Sequence, residues 1–192
     1  RSTLFPYTTL FRSWLTTFAE RCGLRGGMVS AVDLLKGIGK LSGLQVVDVP
    51  GATGYLDTNY AGKAAAALEI LEEADFVAVH VEAPDECGHQ GLAAEKMQAV
   101  ADYDAKIVRP IVEGMERRGE PFRLVATMDH YTPLHLRTHV SWPVPMLLYD
   151  SRSRATDGLA YTEANAARAV EQSGRRFASG ADFFRYFVEQ RR

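Results

Sequence analysis

Residues 76–89 read F-V-A-V-H-V-E-A-P-D-E-C-G-H, and this stretch decides the fold. Phe76–Val81 is a short apolar run of the kind that forms a strand buried on both faces of a parallel sheet. It delivers the chain directly into A-P-D-E-C-G-H-Q-G, a loop or short helical turn between Pro84 and Gly91. One helical turn puts residues four apart on the same side, so Asp85 and His89 can reach one ion. In open α/β sheets ligands collect at the carboxyl ends of strands, which is where this motif sits.

Upstream, Trp14–Cys22 is read as the end of a helix stopped by Gly23 and the Gly26-Gly27 pair. Gly27–Ala31 is a short apolar segment, and Val32–Leu41 carries apolar residues at helical spacing. Gln45–Val49 is β-branched, ends at Pro50-Gly51 and predicts a strand. The turn P-G-A-T-G-Y (residues 50–55) lacks the lysine and spacing of a phosphate-binding P-loop. Asn59–Glu73 is alanine-rich and helical, with Asp57 or Thr58 available as N-cap. Downstream, Ala93–Arg118 predicts one long helix whose last turn carries Arg117 and Arg118, favourable at its negative end. Phe122–Thr127 and Val144–Tyr149 predict strands, and Thr162–Gln172 and Ala181–Gln190 closing helices. Strands alternating with helices imply an α/β fold with a largely parallel sheet.

At 192 residues the chain is long enough for one domain with a substantial core. Its net charge of −2 gives no electrostatic footprint for nucleic acid or an anionic membrane, so any phosphate-binding charge must be local. No apolar run approaches the ~18 residues of a membrane span. Cys22 and Cys87 form no disulfide framework, which favours a reducing, cytoplasmic compartment. Arg1–Ser13 has no apolar h-region, and its back-translation resembles a short-read sequencing adapter. It is read as a cloning or assembly scar, with residues 14–192 as part of a protein that extended further upstream.

All five histidines lie between positions 80 and 139. Three stand in segments with metal-ligand character: Asp85-x-x-x-His89, Asp129-His130 and R-T-H ending at His139. Imidazole and carboxylate together suit Zn²⁺ or Mn²⁺, and two Asp with three His exceed one tetrahedral site. That count points to a two-metal centre, a type that commonly serves phosphoryl chemistry. The adjacent side chains of Asp129 and His130 diverge, so they could serve neighbouring ions or one ion and its outer shell. His80, inside a predicted strand, is read as packing or bonding to backbone, and His135 is set aside. Cys87 is read as a small filler residue. Lys36, Lys40 and Arg137 are candidate phosphate partners, since a guanidinium or ammonium can neutralise a phosphoryl group. For the two lysines a solvated helix face is the stronger reading.

The segments S-A-V-D-L-L-K-G-I-G, V-P-G-A-T-G-Y, H-V-E-A-P-D-E-C-G-H and D-H-Y-T-P-L-H-L-R-T-H-V-S-W-P-V-P closely resemble the archaeal-type, cofactor-independent phosphoglycerate mutases of the alkaline phosphatase superfamily. The resemblance implies a three-layer α/β sandwich, incomplete here. It implies two divalent ions, usually manganese and sometimes zinc or magnesium, with Asp85, His89 and His139 on one and Asp129 and His130 on the other. It further implies a phosphoglycerate substrate and phosphoryl transfer through a phosphoserine; Arg137 and Lys36 stay, on charge alone, the candidate substrate contacts. The family's nucleophilic serine, its first metal-binding Asp and its inserted domain have no matching motif here; Ser30 and Ser42 fall in the segment that follows that insertion. The chain alone is therefore expected to be inactive and to fold poorly with an open sheet edge. Phosphopentomutases, phosphatases and phosphonate hydrolases of the same superfamily share the Asp/His set, and a non-catalytic metal-binding module would keep it too.

Overall fold

The computed structural model describes residues 16–153 and 156–189; Arg1–Ser13, read above as a scar, lie outside them. The chain divides into two compact units. The first comprises residues 16–120 and 130–142, the second residues 121–129 and 143–189 among those described.

In the first unit, β1 (Gly26–Val29) is flanked by β2 (Gln45–Val47) and β3 (Phe76–Val79), both parallel to it. Successive strand residues point to opposite faces, and β1 shows what each face carries. Met28, with its partner Val46, meets Gly39 of α2 (Asp33–Leu41), where a Cβ would approach the Met28 sulfur to 3.1 Å. Gly27 and Val29 face the other way, against Ile70 and Ala66 of α3 (Tyr60–Ile70). Helices therefore cover both faces of the parallel sheet, giving the expected layered α/β arrangement. Burying a side chain such as Ile70 contributes roughly 1.5–3 kcal/mol. A second apolar cluster joins Tyr60 and Ala64 of α3 to Ile107. The short helix α1 (Phe18–Cys22) starts at a capping box, in which Thr17 and Glu20 satisfy each other's backbone N–H.

Three local expectations change. The N-cap of α3 is Asn59, whose side chain accepts from Gly62 N at 2.8 Å. Thr58 and Asp57 instead close the preceding turn, accepting from Thr53 N and Thr53 Oγ1. Strand β3 ends at Val79 rather than Val81, although His80 N still donates to Val29 O. The predicted helix over residues 93–118 is interrupted: α5 (Ala93–Tyr103) passes through a π-helical turn (Asp104–Val108) into α6 (Arg109–Arg118). Pro110 supplies a reason, since it has no N–H and its ring would crowd the carbonyl of Lys106 in an unbroken α-helix. Between β3 and α5, residues Ala83–Gln90 form α4, a full two-turn helix.

In the second unit β4 (Arg123–Thr127) and β5 (Met146–Asp150) pair antiparallel, with Val125 opposite Leu148. The two strands were expected, within a largely parallel sheet, and their antiparallel pairing departs from it. A parallel return needs a crossover, usually helical, whereas the chain between them carries Pro133, Pro143 and Pro145 and no helix. Tyr161 Oη ties the pair together by donating to the carbonyls of Ala126 and Pro145. The unit is completed by α7 (Glu163–Ser173) and α8 (Gly180–Glu189), whose Phe187 ring lies 5.0 Å beneath the Arg123 guanidinium.

Candidate metal centre

Two pieces of the first unit build the centre. The first is α4, which begins just after β3 and places Asp85 in its first turn and His89 one turn on. The second is a loop closed by a bridge between Tyr131 and Val140, with Val140 N donating to Tyr131 O at 3.1 Å. Antiparallel pairing of 131 with 140 sets Thr132 opposite His139, and His130 lies two residues from Thr132 on the same side. The three side chains therefore share one face. His130 and His139 stack with ring centroids 3.6 Å apart.

The donor atoms converge. His89 Nε2 lies 2.9 Å from His139 Nε2 and 3.2 Å from Asp85 Oδ2, and His139 Nε2 is 3.5 Å from Asp85 Oδ1. These separations are those of ligands gathered round one ion at roughly 2.0–2.2 Å. Asp85, His89 and His139 each offer a ligand atom within 4.8 Å of the others. The donor set of one carboxylate and two imidazoles fits a divalent metal. Three such donors, with His139 half exposed, would leave coordination positions open on a bound ion.

Neighbouring groups orient the donors. Thr132, itself buried, donates its hydroxyl to Asp85 Oδ1 and lies 3.4 Å from His130 Nδ1. Lys96 Nζ donates to the Thr132 carbonyl at 2.9 Å. Burial pushes the Lys96 ammonium below its ordinary range, and the charge of Asp85 opposes that shift. Gly88 allows the close packing: a Cβ there would stand 2.6 Å from Thr132 O and 2.7 Å from Lys96 Nζ. His89 Nδ1 is 3.0 Å from Arg137 O.

Of the residues singled out in the sequence, Asp85, His89, His130 and His139 come together. His130 Nδ1 is 3.8 Å from Asp85 Oδ1, so this imidazole, which the resemblance assigns to a second ion, borders the first cluster. Asp129 is exposed and belongs to the second unit. Lys36 sits 3.1 Å from both Asp33 and Asp48, which offset its charge. The Arg137 guanidinium rests against Gly91. Thr132 and Lys96 went unrecognised in the sequence; the period-two spacing of Thr132 from His130 was the one signal available for it.

A second polar group lies at the ends of β1 and β3. Ser30 Oγ accepts from Val32 N and is 3.4 Å from His80 Nδ1, while His80 Nε2 is 3.4 Å from Glu82 Oε2. Lys63, fully buried, donates to the carbonyls of Thr53 and His80.

A family model described as Metalloenzyme superfamily matches residues 9–174. A probable 2,3-bisphosphoglycerate-independent phosphoglycerate mutase of Geobacter sulfurreducens is 49% identical over 156 residues, 81% of this chain and 39% of that protein. A 2,3-bisphosphoglycerate-independent phosphoglycerate mutase of Methanothrix thermoacetophila is 43% identical over 171 residues, 89% of this chain and 43% of that one. Among solved structures, the PH0037 protein of Pyrococcus horikoshii superposes with a TM-score of 0.67 at 30% identity, over 80% of this chain and 46% of the other. The chain spans about two fifths of the length of the curated relatives it matches.

Proposed function

Because the chain belongs to the Metalloenzyme superfamily, we propose that it is the metal-binding part of a cofactor-independent phosphoglycerate mutase that interconverts 3-phosphoglycerate and 2-phosphoglycerate. The observation that carries this reading is the convergence of Asp85, His89 and His139 donors, in a chain 49% identical over 156 residues to a protein of that name. Asp85, His89 and His139 would hold one divalent ion, and Asp129 with His130 would serve a second. Manganese is the proposed metal, with zinc or magnesium as substitutes, and the setting is cytoplasmic glycolysis.

Bound ions would offset the charge that develops on a transferring phosphoryl group. The chain's own residues prepare for this. Thr132 holds one Asp85 oxygen, the Arg137 carbonyl holds His89, and the stacked His130 limits rotation of the His139 ring. The nucleophilic serine is proposed to lie outside these 192 residues. Ser30 and Ser42 are buried, and Ser30 Oγ is already engaged by Val32 N and His80.

The test uses the chain alone and the chain joined to the upstream part of a curated relative. The expected result is Mn²⁺ binding by both, and conversion of phosphoglycerates by the joined protein only. Turnover by the chain alone would overturn the missing-nucleophile reading. A joined protein acting on sugar phosphates but not on phosphoglycerates would overturn the substrate.

A further inference from the structure

Arg137 has φ +54°, the only non-glycine residue with positive φ among the described residues. That left-handed conformation crowds an L side chain, and glycine normally takes it at the end of a helical turn. Here it ends the turn in which Leu136 N and Arg137 N both donate to Pro133 O, at 3.0 and 2.8 Å. Its consequence is local and specific: the Arg137 carbonyl arrives 3.0 Å from His89 Nδ1.

A carbonyl oxygen only accepts. In the neutral imidazole the single ring proton must then sit on Nδ1, leaving Nε2 with a free lone pair. Nε2 is the atom that faces Asp85 and His139. The Arg137 side chain lies beside Gly91, two residues beyond His89, where its Nε, Cζ and Nη2 would be 2.6–2.8 Å from an added Cβ.

We propose that Arg137 is a positioning residue acting through its main chain: the left-handed turn fixes the His89 tautomer that presents Nε2 to a metal ion. The proposal rests on the metal-binding reading above and gives Arg137 a role other than contact with substrate phosphate. Backbone conformation, rather than guanidinium charge, is then what position 137 must supply.

The experiment compares wild type, Arg137→Gly and Arg137→Val in the full 192-residue chain. Glycine adopts positive φ freely and valine resists it. Mn²⁺ affinity by calorimetry is expected to stay within about twofold for R137G and to fall about 10- to 100-fold for R137V, the usual cost of losing an outer-shell partner. Multiple-bond ¹H–¹⁵N spectra of the metal-free wild type should show the His89 proton on Nδ1. A wild-type proton on Nε2, an R137V chain that binds Mn²⁺ like wild type, or an R137G chain as weak as R137V would each overturn the proposal. The tautomer readout needs neither ion nor substrate. A chain with the Nδ1 proton that binds no Mn²⁺ therefore refutes the metal reading, while a proton on Nε2 refutes the tautomer that the Arg137 carbonyl is proposed to fix.

Discussion

The Nε2 atoms of His89 and His139 stand 2.9 Å apart across fifty residues of sequence. Two imidazole lone pairs cannot face each other at that distance without a proton or a cation between them. On the proposed reading a divalent ion would satisfy both, together with Asp85.

Metal binding should therefore stabilise the fold, and His139→Ala should abolish the effect. At Mn²⁺ concentrations near 100 times Kd, linkage predicts a gain of ~2.7 kcal/mol, read as a rise in Tm and reversed by chelator. An equal rise in H139A would place the ion elsewhere.

Thr132→Val removes the hydroxyl that serves Asp85 while keeping the side-chain shape. Asp85 is only part-buried, so the lost donor should cost at most about 1–3 kcal/mol, and Mn²⁺ affinity should fall about 10- to 100-fold. Thr132→Ser should retain most of both. Calorimetry and denaturant melts on the pair separate hydroxyl from methyl.

Lys63 sets a pH dependence. Burial lowers its pKa from 10.5, against the opposing charge of Glu82. Above the depressed folded pKa the unfolded chain holds more protons than the folded one, so stability rises with pH until 10.5 is passed. Below the depressed value the desolvation cost is present in full. Lys63→Met should remove this alkaline rise, measured as denaturation midpoints between neutral pH and about 10. An unchanged slope in K63M would assign the rise to another group.

In the second unit the Arg152 guanidinium holds the Asp150 carboxyl down to about 2, from 3.8. A depressed carboxylate contributes above its unfolded pKa and loses that contribution as pH falls through the folded one. Asp150→Asn should cost ~1 kcal/mol or less at pH 7, because the pair is partly exposed and screened. Wild type and D150N should converge in stability near pH 2.

Much of this was legible in the chain. The i, i+4 spacing of Asp85 and His89 sufficed to put both on one side of a helix, because helical period is local physics. Strands β2 and β3 announced themselves as apolar runs, whereas β1 was legible only as a short apolar segment. Other features were not settled locally, even where, as at Pro110, a local mark was present. The antiparallel pairing of β4 with β5 depends on which edge each strand finds, and the π turn at 104–108 on how a helix accommodates Pro110 among its neighbours.

By itself the sequence determined the candidate donor types, the helix that presents two of them, and the α/β layering that puts them at a strand's carboxyl end. The resemblance already groups His139 with Asp85 and His89, and only the tertiary structure shows how the three converge and what orients them. His139 arrives through the Tyr131–Val140 bridge, and His89 is oriented by a carbonyl of Arg137. Every residue has a carbonyl, so nothing in the letters distinguishes the one that a left-handed turn aims at an imidazole.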